Sequence, residues 1–401
     1  MAGHRRLGTV LAHDGRVKRQ AVPPSAHVVI VGGGVIGTSI AYHLAVAGVR
    51  DIVLVERDGL GSGSTCRAAG GVRAQFSDAL NIQISTRSMA AYQRFSAVPG
   101  QEIDLRAVGY LFLLSTPEDV AAFEKNVTVQ NEFGVPSRMV DPAEARRLSP
   151  LIDTDGVLAA AYSPEDGHCT PESVVLGYAT AARRLGARLI PHCDVVGIRT
   201  TGGEVRAVET NRGTIATSIV ICAAGAWSAA IGDMAGVPLP VVPYRRELVC
   251  TDPIDDAVPV PMTLDFSSAF YFRREGRGLL LGLSDPTEPP GFSTHRSDAW
   301  LAKLADALAV RAPGLVDVGV TSGWAGLYEV TPDHNALIGE AAEVGRFLYA
   351  TGFSGHGFMQ APAVGEIVAD LVRERAPFVD VAALHVDRFS CGRPRTELNY
   401  V

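Results

Sequence analysis

The sequence predicts two kinds of domain in one chain: an α/β domain, and an α+β domain with a large antiparallel or mixed sheet. Residues 27–57 read as a strand, a glycine-rich turn, a helix and a second strand, which is the order of a parallel βαβ unit. Residues 245–284 and 318–324 contain successive strands separated by turn residues, without helices between them. The chain has 401 residues, more than the roughly 250 that one hydrophobic core usually supports.

Composition excludes several classes of protein. The chain has 47% hydrophobic and 20% charged residues and a formal net charge of −7, which disfavours a nucleic-acid partner. No apolar run reaches the ~18 residues of a membrane span, and the N-terminus lacks the apolar core of a secretory signal. The six cysteines show neither CxxC nor zinc-ligand spacing. We therefore expect a cytoplasmic protein with reduced thiols, no membrane span and no metal site.

Residues 1–25 differ from the rest of the chain. They carry five basic residues and little apolar periodicity, and they end just past Pro23 and Pro24. This composition predicts a mobile N-terminal tail. A docking arm for another subunit is the alternative.

The βαβ unit carries a dinucleotide-binding pattern. The apolar strand Val28–Val31 leads into Gly32-x-Gly34-x-x-Gly37, and Glu56 ends the second strand 19 residues after the last glycine. Such glycines allow a tight turn, close approach of a pyrophosphate and close helix packing, while the helix N-terminus favours its negative charge. The acidic residue is placed to accept hydrogen bonds from a ribose.

Three further segments favour FAD over NAD. Residues 59–77 form a loop of small residues, suited to a longer ligand that continues past the pyrophosphate. A second apolar strand in residues 217–228 ends in Ala-Ala-Gly, which a ligand can pass without side-chain obstruction. The segments Val195–Ile198 and Val205–Glu209 read as a hairpin before that strand. A second GxGxxG is absent, which disfavours a pyridine-nucleotide reductase.

Together these segments resemble the D-amino acid oxidase (DAO) superfamily of FAD-dependent oxidoreductases. Within it, the likeness is to the branch of sarcosine oxidases, glycine oxidase, dimethylglycine dehydrogenase and L-proline dehydrogenase β subunits. It covers residues 27–378, through the segments VVIVGGGVIGTSIAYHLAVAG, LVER, GSGST, GGVRAQFS, CAAGAWS, YFRREGRGLLLGLSD, WAGLYEVTPDHNALIG and GFSGHGFMQAPAVGE.

The resemblance implies a Rossmann-type FAD-binding domain interrupted by a substrate domain. We assign residues 26–100, 151–238 and 325–401 to the first, and residues 101–150 and 239–324 to the second. Two segments with amphipathic helical spacing, Glu118–Phe133 and Asp298–Arg311, are expected to cover the substrate sheet.

The family pattern, carried over position by position, also implies the residues that bind FAD. Monomeric sarcosine oxidases link FAD to a cysteine where this chain has Gly326, so we expect noncovalent FAD. The expected FAD-binding residues are Gly32, Gly34, Val35, Ile36, Gly37, Glu56, Arg57, Ser64, Thr65, Arg67, Ala69, Gly70, Gly71, Val195, Val196, Ala223, Ala224, Gly225, Trp227, Gly326, Gly352, Phe353, Ser354, Gly355, His356, Gly357, Phe358 and Met359.

His356 lies between two glycines in the GHGF turn, which passes close to the flavin ring in the family. The glycines allow backbone amides to face the ring, and the following helix N-terminus stabilises negative charge on it. We expect His356 to donate hydrogen bonds and tune the electrostatics, because hydride transfer from an amine carbon needs no strong base.

The carboxylate anchors of the family are only partly present. Glycine oxidase and D-amino acid oxidase use an arginine where this chain has Tyr328. Monomeric sarcosine oxidases use an arginine matched here by Arg73 and a lysine matched by Met359. We expect Arg73 to bind a substrate carboxylate, with Tyr271 and Tyr328 as hydroxyl donors. A purely structural ion pair of Arg73 with a carboxylate elsewhere is the alternative.

The oxygen-activating lysine of monomeric sarcosine oxidases is replaced by Leu280, and the three lysines of the chain lie outside the flavin motifs. This favours a dehydrogenase with another electron acceptor. An oxidase that uses O2 through a different cation, such as protonated His356, Arg67 or Arg274, remains the alternative.

Several other side chains have simpler interpretations. His168 reads as a loop residue before a helix that starts near Pro171, with a role at the ligand as the alternative. Asp333 and His334 fit turn chemistry better than a catalytic dyad. Trp227 and Trp324 read mainly as packing residues.

The predicted function is FAD-dependent oxidation of the C–N bond of a small amino acid or a secondary or N-alkyl amine, resembling sarcosine, glycine or proline. Hydride passes to flavin N5, and the resulting imine hydrolyses. A catalytic, electron-relay or assembly subunit of a multisubunit amine dehydrogenase is one alternative, which would require an additional subunit. An FAD-dependent hydroxy-acid oxidoreductase is the other.

Overall fold

The computed structural model describes residues 21–392 and 394–400, and two large β-sheets dominate it. The strands are β1 Val28–Val31, β2 Ile52–Val55, β3 Gly71–Val72, β4 Tyr110–Leu114, β5 Arg138–Val140, β6 Ala159–Ser163, β7 Gly167–His168, β8 Arg188–Ile190, β9 Val195–Thr201, β10 Glu204–Thr210, β11 Gly213–Ala216, β12 Ile219–Cys222, β13 Val242–Thr251, β14 Met262–Asp265, β15 Phe270–Glu275, β16 Gly278–Leu283, β17 Val320–Val330, β18 Leu337–Glu340 and β19 Phe347–Thr351. The helices are α1 Val35–Val46, α2 Ala79–Gln93, α3 Pro117–Glu132, α4 Pro142–Leu148, α5 Pro171–Arg184, α6 Ser228–Ala235, α7 Asp298–Arg311 and α8 Gly357–Val372.

The first sheet has the strand order β18-β19-β12-β1-β2-β8. It is parallel except for the edge strand β18, which pairs antiparallel with β19. Helices α1, α5 and α8 pack on one face, and the three-stranded sheet β11-β10-β9 with α6 packs on the other. Because both faces are covered, β1, β2 and β12 are continuous runs of buried apolar residues.

The second sheet has the order β17-β13-β16-β15-β14-β4-β6-β5 and is antiparallel except where β14 meets β4. Its two faces belong to two different cores. Helix α7 covers one face with Trp300 and Leu304, and α3 covers part of the other with Phe123 and Val127. Both helices were expected from amphipathic spacing, and the combination of α/β and α+β layers confirms the predicted fold class.

The chain passes between the two sheets at different points from the predicted boundaries. Strand β6 lies in the second sheet, although residues from 151 onward were assigned to the FAD-binding domain. Strand β17 pairs with β13 along its whole length, across the boundary placed at 325. The sequence of β6, Ala-Ala-Ala-Tyr-Ser, lacks the β-branched residues that typify strands. Neighbouring strands, rather than its own residues, therefore determine its conformation.

The first described residues already pair with the body of the protein. The carbonyl of Pro24 accepts a hydrogen bond from Ala216 N at 3.0 Å, and Val22 packs against the core beneath β10 and β11. Part of the predicted tail, residues 21–25, is thus attached to β11. Residues 1–20 lie outside the described residues.

Two expected absences concern the described residues alone. Within residues 21–392 and 394–400, no helix combines the length and the apolar character needed to cross a membrane. The same residues contain no group of three or more metal-ligating side chains.

Candidate active site

A cavity of about 430 Å³ extends from the carboxyl ends of β1 and β2 to strands β13–β17 of the second sheet. Most of the predicted site residues line it, including Arg73, Tyr271, Tyr328 and His356. The predicted residues outside its lining are Gly37, Val196, Gly352 and Phe353. We call the part near β1 and β2 the nucleotide end, and the part around Arg73 and His356 the substrate end.

The glycines of the nucleotide end are required by the backbone itself. Gly32 has φ +111°, and a Cβ there would lie 2.2 Å from the carbonyl oxygen of Ala223. A Cβ on Gly37 would lie 2.0 Å from the carbonyl oxygen of Gly32. Gly37 therefore packs α1 onto the first turn without lining the cavity, as the third glycine of such a motif should.

The N-terminus of α1 is suited to an anion. Gly34 occupies the N-cap position without a side chain, and the first turn contains no acidic residue. Thr65 Oγ1 accepts a hydrogen bond from Val35 N at 3.0 Å, which fixes the following loop against the helix. The positive end of the 12-residue helix thus faces the cavity, which fits the pyrophosphate of FAD.

Glu56 stands at the end of β2, where a ribose would be expected. Its Oε2 accepts a hydrogen bond from Gly33 N at 2.7 Å, and Oε1 accepts one from Asp58 N at 2.8 Å. Beside it the Arg57 guanidinium lies 4.4 Å from the centre of the Trp227 ring, which stacks on Phe292. Trp227 is therefore part of the cavity wall as well as a packing residue.

Arg67 connects the nucleotide end to the second sheet. Its Nη1 donates to Ala325 O at 3.0 Å, and Trp324 Nε1 donates to Arg67 O at 3.0 Å. A Cβ on Gly326 would lie 3.0 Å from the Cβ of Arg67. The glycine in the family's cysteine position thus allows this close contact.

Arg73 is 4% exposed and lies at the substrate end. Its Nη2 donates to Asn399 O at 2.7 Å and contacts His356 Nε2 at 3.2 Å, and Nη1 donates to Gln75 O. The guanidinium also lies 4.3 Å from the centre of the Phe76 ring. Among the described residues it forms no ion pair, although its charge acts on the buried carboxyl of Asp166.

His356 precedes α8 and is 6% exposed. Burial, then the charge of Arg73, then His334 lower the pKa of His356 well below its usual range, and a hydrogen bond with the Asn399 backbone opposes them. The imidazole is therefore neutral at physiological pH. This contradicts the suggestion that protonated His356 supplies positive charge.

Two glycines make room for the predicted tyrosines. A Cβ on Gly355, which has φ +90°, would lie 2.4 Å from the Tyr328 ring, and one on Gly282 would lie 2.5 Å from the Tyr271 hydroxyl oxygen. Burial raises the pKa of Tyr328 to about 12 and raises that of Tyr271 well above its usual value. Both hydroxyls are thus protonated, and both residues line the cavity.

Besides Asp58 and Asp194 at the nucleotide end, sequence reasoning missed two charged residues of the cavity that lie on strands of the second sheet. Arg246 lines it, lies 5.1 Å from the centre of the Tyr328 ring, and donates from Nη2 to Tyr400 Oη at 3.3 Å. Successive residues of a strand point to opposite faces. Arg245 accordingly pairs with Glu288 away from the cavity, and this alternation is the signal that could have singled out Arg246.

Glu329 is the second missed residue. Its Oε2 accepts hydrogen bonds from Thr351 Oγ1 at 2.8 Å and Gly352 N at 3.0 Å. Burial raises the pKa of Glu329 to about 7, and these hydrogen bonds act against that rise. Its position two residues before Thr331-Pro-Asp gives no sign in the sequence that it faces the cavity.

Other candidates lie outside the cavity lining. Val196 is 56% exposed on β9, because alternation along this strand turns it outward. Arg274 donates from Nη2 to the carbonyls of Asp255 and Val258, both at 2.9 Å, so it is not a cation of the site. His168 belongs to β7, paired with β3. Asp333 forms a buried ion pair with Arg388 at 2.8 Å.

The geometry of the nucleotide end agrees with a comparison of this chain with profiles of protein families. The sequence profile of the FAD dependent oxidoreductase family matches residues 27–371, which include α1, both sheets and the GHGF turn. The chain belongs to this family. FAD is its cofactor, and the predicted resemblance is confirmed.

Individual relatives narrow the likeness further. The chain is 30% identical to mitochondrial dimethylglycine dehydrogenase of Rattus norvegicus over 92% of its own length, but it spans about half (46%) of that protein. The crystal structure of L-proline dehydrogenase from P. horikoshii is 35% identical with TM-score 0.88, covering 93% of this chain and 100% of the other. Glycine oxidase from Geobacillus kaustophilus is 26% identical with TM-score 0.82, covering 91% and 99%.

Proposed function

We propose that this protein oxidises the C–N bond of a small amino acid or a secondary or N-alkyl amine to an imine, which water then hydrolyses. The observation that carries the proposal is the substrate end itself. A buried arginine without an ion pair among the described residues, a neutral imidazole and two protonated tyrosines line the substrate end of the cavity. Relatives named dimethylglycine dehydrogenase, L-proline dehydrogenase and glycine oxidase support the same substrate class.

Bound FAD supplies the oxidising power, since it takes up the two electrons that the C–N bond loses. The chain supplies recognition. Arg73 binds the substrate carboxylate through the guanidinium hydrogens that Gln75, Asn399 and His356 leave unused. Tyr271 and Tyr328 donate hydrogen bonds and shield the reacting carbon from water. Arg246 adds positive charge that favours an anionic substrate.

His356 helps to orient the substrate and does not remove the proton of its amine. Its Nε2 faces the Arg73 guanidinium at 3.2 Å, so this lone pair is not free to accept the substrate's amine proton. The amine must therefore bind in its neutral form or lose its proton to water. The rate of flavin reduction should rise with pH as the substrate amine loses its proton. A hydroxy-acid substrate has no amine and should not show this rise.

We propose that the flavin is bound without a covalent link and that O2 is not the preferred acceptor. Gly326 offers no thiol, and Cys193, the cysteine among the described residues that lines the cavity, lies beside Glu56 at the nucleotide end. Leu280 packs in the apolar cluster of Tyr271 and Met262, where no ammonium group can be presented. Acid precipitation should therefore release all the flavin into the supernatant.

The experiment that tests the function is anaerobic reduction of the purified flavoprotein. Sarcosine, glycine, L-proline, N-methyl-L-alanine and the hydroxy acids glycolate and L-lactate are mixed with it separately, and flavin absorbance is followed. Bleaching by an amine supports the proposal, and slow recolouring in air supports a dehydrogenase. Bleaching by hydroxy acids alone contradicts it in favour of a hydroxy-acid oxidoreductase. Absence of bleaching by any compound favours a subunit that needs a partner.

A further inference from the structure

The segment of residues 394–400 returns from the first sheet to the substrate end. Within it Glu397 is 1% exposed and Asn399 is fully buried, although most of the neighbouring residues are exposed. A run that reads Pro-Arg-Thr-Glu-Leu-Asn-Tyr has no apolar periodicity that would bury it. Its burial therefore depends on specific polar contacts.

Glu397 holds the segment to the start of α2. Its Oε1 accepts hydrogen bonds from Ser77 N at 2.9 Å and Ser77 Oγ at 2.8 Å, and its Oε2 accepts one from Asn81 Nδ2 at 3.0 Å. The same Oε1 accepts a hydrogen bond from Asn399 N at 2.9 Å. These donors compensate the burial of the carboxylate and fix where the next residues lie.

Asn399 joins three parts of the protein at the substrate end. Its Oδ1 accepts from Asn126 Nδ2 on α3 at 2.9 Å, and its Nδ2 donates to Gln75 O at 3.2 Å. Its backbone carbonyl accepts from Arg73 Nη2 at 2.7 Å. The same Arg73 nitrogen contacts His356, so the position of Asn399 determines which guanidinium hydrogen is directed at the imidazole.

Tyr400 contacts two other residues of the cavity lining, Arg246 and His356. Its ring is parallel to that of His334, with centres 3.8 Å apart, and perpendicular to that of His356 at 6.4 Å. Its hydroxyl oxygen accepts a hydrogen bond from Arg246 Nη2 at 3.3 Å. Arg246 Nε is buried without a hydrogen-bond partner, so this contact and one to Arg245 O at 2.9 Å are what orient its guanidinium.

We propose that the 394–400 segment supports the substrate site from behind its lining, where Asn399 positions Arg73 and Tyr400 positions Arg246. This inference rests on the proposed function, since it assigns these two residues to recognition of an anionic substrate. Neither residue touches the reacting bond. They are positioning residues that set the affinity for carboxylates rather than the rate of the chemical step.

The test compares variants of one segment in the flavin-loaded full chain. Tyr400→Phe removes only the hydroxyl, Tyr400→Ala also removes the stacked ring, and Asn399→Ala removes the side chain that anchors the backbone. Leu398→Ala is the matched control, because Leu398 is 55% exposed and directly precedes Asn399. Cyclopentanecarboxylate, which has the shape of proline without an oxidisable amine, serves as the binding probe through its perturbation of the flavin spectrum.

The expected result is a graded loss of affinity. Tyr400→Phe should raise the dissociation constant of cyclopentanecarboxylate about 3-fold, and Tyr400→Ala and Asn399→Ala about 10-fold or more, as loss of buried hydrogen bonds implies. The limiting rate of flavin reduction by the best amino acid should change less than about 3-fold, and the oxidation of the corresponding decarboxylated amine should keep its KM. Leu398→Ala should match the parent.

Each failure has a distinct signature. If the parent binds the probe and the three variants bind it equally well, the segment is not part of the site and the inference is overturned. If affinity is unchanged and only the reduction rate falls, the positioning role is also wrong. A parent that neither binds cyclopentanecarboxylate nor is reduced by any amine overturns the proposed function, and the inference with it. Should Asn399→Ala fail to fold, the two variants at the more exposed Tyr400, Tyr400→Phe and Tyr400→Ala, test the inference.

Discussion

The two ends of the cavity are built in different ways. At the nucleotide end the backbone makes the site, since Gly32 and Gly34 leave space where other residues would place side chains, and α1 presents its N-terminus. At the substrate end side chains make the site, and they come from the loop after β3, from β13, β15 and β17, and from the turn before α8.

This difference decides how much each end tolerates. A backbone cradle depends on a few residues that are close together in sequence, and one added methyl group closes it. A side-chain cage depends on many weaker contacts between distant segments, so each one can be lost separately. We therefore expect substitutions at the nucleotide end to act as all or none, and those at the substrate end to be graded.

The largest expected effect is that of Gly32→Ala. The new Cβ would lie 2.2 Å from Ala223 O, and the alanine would have to adopt φ +111°, which L residues rarely do. The purified variant should contain less than about a tenth of the parent's flavin, because backbone must move to relieve such overlap. The ratio of flavin to protein absorbance measures this. Gly59→Ala, in the same region with open space around its Cβ position, should keep its flavin; equal flavin in both variants would break the comparison.

Arg73→Met should leave flavin content intact and weaken carboxylates. Charge-assisted hydrogen bonds contribute about 1.5–3 kcal/mol each, so the dissociation constant of an amino acid substrate should rise about 100-fold. Spectral titration measures it, and Arg73→Lys should recover part of the loss. Arg106→Met is the control, since its side chain is 61% exposed and pairs with Asp104. If Arg73→Met lost flavin instead, Arg73 would belong to the nucleotide end.

Glu56→Gln tests whether the nucleotide end has a graded component. The amide keeps one acceptor for Gly33 N but loses the charge that strengthens hydrogen bonds from a ribose. Affinity for FAD should fall about 10-fold, far less than in Gly32→Ala, and reconstitution of the apoprotein with FAD measures it. Loss as complete as that of Gly32→Ala would mean that side chains matter here as much as backbone.

The smallest effect concerns the β3–β7 pair between the two ends. Burial and then Arg273 lower the pKa of His168 to about 3. The unfolded chain takes up a proton below pH ~6.5 while the folded chain does not, so this site makes stability fall between pH 6.5 and 3. His168→Gln should therefore lose less in Tm than the parent when the pH drops from 7 to 4.5. His27→Gln, at an exposed position, should follow the parent; parallel curves for all three would contradict the assignment.

The same contrast explains what the sequence could predict. Strand β1 and helix α7 have the predicted bounds, because buried β-branched runs and amphipathic spacing are local signals. The motif glycines and Glu56 are likewise local signals, whereas the other residues of the nucleotide end were implied by the family resemblance. Strand β6 was missed because its Ala-rich sequence becomes a strand only between β4 and β5.

At the substrate end local signals are insufficient. Arg245 and Arg246 are neighbours with the same side chain, and only the direction of β13 decides which one faces the cavity. The role of Asn399 depends on contacts with Asn126 and Arg73, which lie more than 270 residues away in sequence. Pairings over such separations leave no trace in a single sequence.

The chain crosses from one sheet to the other four times: after β2, after β6, after β12 and after β17. Each sheet is consequently assembled from separate stretches of the polypeptide. No single continuous stretch contains all the strands of either sheet, so neither sheet can be excised as one fragment. A single proteolytic nick in any crossing would leave the halves interlocked by the remaining ones. The cavity between the sheets is thus framed by walls that are each built from several stretches, so exchanging one wall would mean replacing separate parts of the chain together.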